Sequence, residues 1–383
     1  MKNFILLLVF VSFIDMFVQL PIMSTFALDL GATPFIIGIV VGMYSLSNLI
    51  GNLSAGYWTD STGAKIVLVV GLLFTGISLF AYTIITSPMQ LVLVRFFHGL
   101  FSGLLVPAAY AFMANINKQS TAGKTMAVSG IAVGISAIFG PAFGSIVTAK
   151  LSINVVFYTI GIIMFLFAFL TYFFLRNVHF SEEKKEVFEL KNTTNLLLHP
   201  FLQISFLAAF SLMFAQGVLA YTLPLQIVDL DLKASNSGIL MSTFGIVAII
   251  IFGAGRKIFD KVNWRITLTG GLIAISIGLF ILSSAKTLPV LFIAMSIYGA
   301  GFGFLFPSMT TILVKNTDPK ERGRAFGLFY SFFSLGAVFG SFVTGLNENN
   351  HAISYQIASV FILISIIFIH LLLPKLHKQQ IIK

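Results

Sequence analysis

The residue in this chain most in need of a reason is a carboxylate set in the middle of an apolar stretch. Ser12 to Pro21 reads SFIDMFVQLP, with Asp15 at its centre and Gln19 one helical turn later, so a polar stripe runs up one face of a greasy helix. A charge at membrane depth costs at least ~2.5–3.5 kcal/mol on insertion scales and calls for a partner or a wet cavity. Arg95, in the stretch LVLVRFFHGLFSG, is a second ionic residue in an apolar segment, with His98 three positions on. Asp15 lies about 11 residues from the inner end of its span and Arg95 about 6 from the outer end of its own; at ~1.5 Å per residue across ~30 Å their depths differ by about 5 Å. The two are therefore expected to pair, either as a site that binds and releases a proton or as a static structural pair. His98 reads as a titrating member of that site or as a hydrogen-bonded packing residue. No membrane histidine cluster or acid pair suggests catalysis or a metal, and the expectation is a non-enzyme without cofactor.

The elements that must hold these residues are set by composition. Of 383 residues, 57% are hydrophobic and 9% charged, with a mean hydropathy of +0.99, a profile that a soluble domain could not carry on its surface. Polar breaks divide the chain into twelve predicted spans: 4–26, 34–57, 66–85, 89–114, 124–149, 153–175, 201–227, 236–256, 266–285, 289–314, 323–346 and 351–373. Asp15 is the one acid inside any of them. The N-terminal segment has the positive start of a signal peptide but also Asp15 and no convincing cleavage site, and reads as an uncleaved first helix.

The formal charge of +10 is distributed by side. With the N-terminus inside, the cytoplasmic loops carry Lys65, Lys118, Lys124, Lys184, Lys185, Arg256, Lys257 and Arg265 among many others, and the outer loops only Lys150, Lys233 and Lys286. That bias predicts a multi-pass protein with both termini cytoplasmic, and the basicity has no sign of a nucleic-acid surface. The absence of cysteine excludes disulfides and thiolate chemistry.

The chain is also an internal duplication. A shift of 200 positions places Asp29 on Asp229, Asp60 on Asp260, Lys65 on Arg265, Gly99 on Gly299, Gly103 on Gly303, Pro107 on Pro307 and Gly140 on Gly340, in one ungapped register. The predicted organisation is a six-helix repeat over 1–176, a mixed-charge cytoplasmic linker over 177–200 and a second six-helix repeat with a short tail over 201–383. Parallel repeats imply an axis along the membrane normal and a site near the midplane.

These features together resemble the major facilitator superfamily over essentially the full length. The stretch GYWTDSTGAK, with Gly56, Asp60, Gly63 and Lys65, is similar to the family's signature loop, and DKVNWR, with Asp260 and Arg265, is its counterpart in the second repeat. The resemblance implies a conformational latch, with Ser61 and Ala64 standing where the family often has arginine. Arg95, His98 and Gly99 resemble the family's arginine motif, His98 occupying the place usually held by glutamine. SGIAVGISAIFGPAFGS in span 5, with Gly130, Gly134, Gly140, Pro141 and Gly144, resembles the antiporter motif of the drug-exporting branch, Ser145 replacing its last glycine. An all-α fold of twelve transmembrane helices is implied.

The spans of the second repeat hold no charge in their central portions. Gln216, Tyr221, Gln226, Tyr298 and Tyr330, with Gln19 from the first, are the candidate cavity groups among many aromatic residues. They suit an amphipathic or hydrophobic substrate held by contact and stacking. The reading is a plasma-membrane, proton-coupled multidrug-type exporter that acts as a monomer on small molecules and protons; the alternative is an exporter of one metabolite, siderophore, sugar or lipid-linked compound. Gly123, Lys124 and Thr125 spell the end of a phosphate loop, but Lys118 stands in place of its first glycine and no strand precedes it, so an ATP-driven pump is rejected. Because the chain lacks cysteine, the orientation can be checked directly: Lys233→Cys should react with a membrane-impermeant maleimide on intact cells, and Lys184→Cys only after permeabilisation.

Overall fold

A computed structural model describes residues 2–116, 122–175, 190–261, 263–318, 321–347 and 350–380. Its helices in chain order are α1 (Lys2–Gln19), α2 (Met23–Asp29), α3 (Pro34–Thr62), α4 (Ala64–Ala81), α5 (Pro88–Ser102), α6 (Leu105–Ile116), α7 (Ala122–Lys150) and α8 (Ile153–Phe174). They continue with α9 (Leu190–Leu198), α10 (Pro200–Asp229), α11 (Ser235–Lys261), α12 (Trp264–Ser284), α13 (Leu288–Lys315), α14 (Arg322–Gly345) and α15 (His351–Gln380). Among the described residues eleven helical segments are long and apolar enough to cross a membrane, twelve if the bent pair α1 and α2 is taken as one span. The protein is therefore an all-helical, multi-span membrane protein.

Local chemistry explains several boundaries. Thr33, Ser87 and Ser152 each accept a hydrogen bond from the backbone N–H three residues on, and Pro34 and Pro88 follow at first helical positions where their missing N–H goes unneeded. Gly63, at φ +88°, makes the turn from α3 to α4, a conformation side chains rarely adopt. The first predicted span, 4–26, is not one straight helix: it bends by 46° at the break that contains Pro21. The fourth, 89–114, divides into α5 and α6 around Gly103 and Leu104.

The chain forms two compact units, one of Met1–Glu183 with Leu223–Ser242, the other of Lys184–Thr222 with Thr243–Lys383. In the first, α1 packs on α7, α3 on α5 and α4 on α8; in the second, α12 packs on α13 and α15. Glycines set the closest approaches. A Cβ on Gly99 would strike the backbone carbonyl of Tyr44, and one on Gly103 would meet the backbone of Asn48 and Gly51. The second unit repeats these contacts at the same offset, Gly299 on Phe244 and Gly303 on Ala248 and Ile251. Likewise Gly71 faces Phe101 and Leu105, and Gly271 faces Gly301 and Leu305. The duplication read from the sequence is thus a duplication of helix contacts.

Gly99→Ala should lower thermal stability by about 1–3 kcal/mol, the usual range for overpacking, because its neighbour is backbone and cannot turn aside. Gly327→Ala, whose Cβ meets open space, should leave the unfolding midpoint in detergent unchanged or slightly raised.

Candidate functional site

The α3–α5 and α1–α7 contacts bring one polar cluster together inside the first unit. Asp15 and His98 are fully buried, Gln19 and Arg95 nearly so. His98 Nε2 lies 3.0 Å from Asp15 Oδ2. Gln19, one turn after Asp15, donates from Nε2 to Asp15 Oδ1 at 2.8 Å and to the Asp15 carbonyl oxygen at 3.0 Å. Its Oε1 accepts from Arg95 Nη1 at 2.7 Å. Only this orientation of the amide serves a carboxylate on one side and a guanidinium on the other.

The expected direct pairing of Asp15 with Arg95 is therefore corrected. The two share a neighbourhood, but Gln19 stands between them and His98 is the direct partner of the acid. Arg95 is held instead by the Gln19 oxygen, by the Val40 carbonyl, to which Nε donates at 3.1 Å, and by the face of the Tyr44 ring, 4.7 Å from Cζ. Depth along a helix carries no information about azimuth around it.

Two members of the cluster were missed. Tyr44 lies under Arg95, meets the His98 ring edge-on at 5.3 Å and shares a 2.8 Å hydrogen bond with Ser102. Tyr82, at the end of α4, places its hydroxyl 3.0 Å from His98 Nδ1. Neither stands out among ten tyrosines, yet the duplication held a signal. At the 200-residue offset Asp15, Gln19, Tyr44, Tyr82, Arg95, His98 and Ser102 face Ala215, Leu219, Phe244, Leu282, Met295, Tyr298 and Phe302. All seven are among the positions where a polar residue of the first half has lost or changed its polar group in the second, a set that also includes Asn48 and Asn52 opposite Ala248 and Phe252.

The second unit carries a non-ionic counterpart. Tyr298, at the position equivalent to His98, donates to Gln216 Oε1 at 3.1 Å and meets Phe244 edge-on at 5.8 Å. Gln216 and Tyr221 are buried, whereas Tyr330 is 43% exposed and packs among Phe326, Phe329 and Phe333. Gln226, also buried, belongs to the first unit. Gln19 is engaged in the ionic cluster.

In the span-5 motif, Gly140 and Gly144 press on Phe17 and Val18 of α1. Pro141 meets Gly238 through its carbonyl, and the Ser145 hydroxyl donates to the Ser235 carbonyl at 3.1 Å. Gly134 is half-buried in α7. Gly56, Asp60, Gly130 and Asp260 lie in helices, with their surroundings outside the described residues, as is most of the 177–200 linker. Of the remaining signature residues, Lys65 Nζ sits 5.0 Å over the Tyr172 ring and Arg265 stacks on Trp264. Among the described residues no group of three His, Asp or Glu side chains could hold a metal ion.

The profile of the Major Facilitator Superfamily matches residues 5–341. The chain belongs to that superfamily. It is 26% identical over 349 residues to an uncharacterized MFS-type transporter of Methanocaldococcus jannaschii, covering 89% of this chain and 90% of the relative. It is 25% identical over 346 residues to multidrug resistance protein 1 of Bacillus subtilis, covering 88% and 87%. A mutant form of the nucleoside transporter NupG shares the fold with a TM-score of 0.82 at 15% identity, covering 97% of this chain and 99% of the other. The protein is a membrane transporter of this superfamily and not an enzyme.

Gln19→Leu, which installs the residue found at the equivalent place in the second half, would strip an acceptor from Arg95 and a donor from Asp15. Each unsatisfied buried group costs about 1–3 kcal/mol, so a clear drop in the unfolding midpoint of the purified protein is the expected result.

Proposed function

We propose that this transporter exports small amphipathic or hydrophobic compounds across the plasma membrane in exchange for protons, by alternating access, with both termini in the cytoplasm. The observation that carries the proposal is the buried hydrogen bond between His98 and Asp15 at membrane depth. With a neutral imidazole, the carboxylate's charge is matched by Arg95 through Gln19. One added proton on the acid–imidazole pair leaves the Arg95 charge unmatched in a site sealed from water, which disfavours this packing and favours a conformation in which the site is wet. A proton taken up from outside and released inside would reset the carrier as substrate leaves.

The export direction rests on the names of relatives such as multidrug resistance protein 1 and on the Gly140, Pro141, Gly144 motif. In the same proposal Gly56, Asp60, Gly63 and Lys65, with Asp260 and Arg265, form the conformational latch. The Gln216 and Tyr298 pair supports a second reading, an exporter of one metabolite with hydrogen-bonding groups.

Reconstituted vesicles under an imposed pH gradient, without ATP, test both readings against a panel of cationic, neutral and anionic amphiphiles. Asp15→Asn should abolish proton-driven export; a well-folded variant with normal gradient-driven transport refutes the coupling role. Saturable transport of one polar compound alone would favour the second reading.

A further inference from the structure

Tyr82 ends α4 and is 1% exposed, far too buried for its hydroxyl to be left to water. Its ring stacks on Phe157 of α8 with centroids 4.7 Å apart, and Phe157 in turn packs against Phe26 of α2 at 5.7 Å. Three helices thus fix where the hydroxyl points, and it points at His98 Nδ1, 3.0 Å away.

A neutral imidazole has one N–H and one bare nitrogen, and the neighbours decide which is which. Asp15 Oδ2, when ionised, can only accept. If Nδ1 carried the proton, the Nε2 lone pair would face the carboxylate oxygen at 3.0 Å with no hydrogen between them. If Nε2 carries it, Nε2 donates to Asp15 and Nδ1 accepts from the Tyr82 O–H, and both contacts are satisfied. The remaining polar group around the imidazole, the Tyr44 hydroxyl, is engaged with Ser102.

We propose that Tyr82 is a positioning residue that, by donating to Nδ1 while Asp15 accepts from Nε2–H, helps to hold His98 as its Nε2–H tautomer, so that the neutral imidazole presents its proton to Asp15. A second proton can enter at Nδ1 only when the Tyr82 hydroxyl turns round to accept it. In that arrangement the phenolic proton loses its acceptor. Tyr82 therefore holds the second imidazole nitrogen closed while α4 and α5 keep this packing. Its role rests on the coupling function proposed above, but the tautomer itself does not.

The test is nitrogen NMR of 15N-histidine-labelled full-length protein in lipid nanodiscs at neutral pH, where ring shifts separate protonated from bare nitrogens. His98 is assigned among six histidines by the signals lost in His98→Gln. Wild-type protein should show Nε2 protonated and Nδ1 bare. Tyr82→Phe should keep Nε2 protonated against Asp15 while the bare Nδ1 signal moves downfield on losing its hydrogen-bond donor, and proton-driven export by that variant should fall about tenfold, about 1.4 kcal/mol, with binding of a transported amphiphile kept. A wild-type spectrum with Nδ1 protonated overturns the proposal without any variant, as does an unmoved Nδ1 signal in a folded Tyr82→Phe protein. Should the tautomer be as stated while Asp15→Asn still exports against a gradient, the coupling role fails and the positioning role stands.

Discussion

Opposite charges placed in hydrocarbon must be matched within a few ångströms, and the first half of this protein is arranged around that requirement. Asp15 and Arg95 are neutralised as a set, not as a touching pair. Gln19 carries the polarity of one to the other, His98 serves the second carboxylate oxygen, and the Val40 carbonyl and the Tyr44 ring take up the rest of the guanidinium. These groups come from α1, α3 and α5, so the cluster exists only while those helices keep their spacing. The glycines that let α5 approach α3 are for that reason part of the site, although none has a polar side chain.

Much of this was legible in the sequence. The twelve spans followed from apolar length, the duplication from the register of loop charges and glycines, and the expense of Asp15 and Arg95 from their setting alone. What could not be read was rotation about the helix axis. Residues 15 and 19 share a face, which is visible in spacing, but whether that face meets residue 95 or 98 depends on how α5 is turned against α1. That is decided by contacts such as Gly99 on the Tyr44 backbone. Tyr44 and Tyr82 were hidden for the same reason, because an aromatic residue in a membrane helix reads alike whether it faces lipid, packing or a guanidinium.

The two halves use the same frame for different chemistry. Where the first half sets an imidazole edge-on against Tyr44, the second sets a phenol edge-on against Phe244, and the partner changes from a carboxylate to the amide of Gln216. Burial of the second pair needs no counter-ion, which fits the lack of charged residues in the middle of its spans.

The repeated glycine contacts also bear on how such a protein can evolve. The frame positions press on backbone and tolerate little, whereas the side chains hung from that frame differ at all seven cluster positions between the halves without disturbing it. Gain or loss of an ionisable cluster is then a matter of a few side-chain replacements on a fixed scaffold, and a buried ionic site can be acquired or discarded without reinventing the fold.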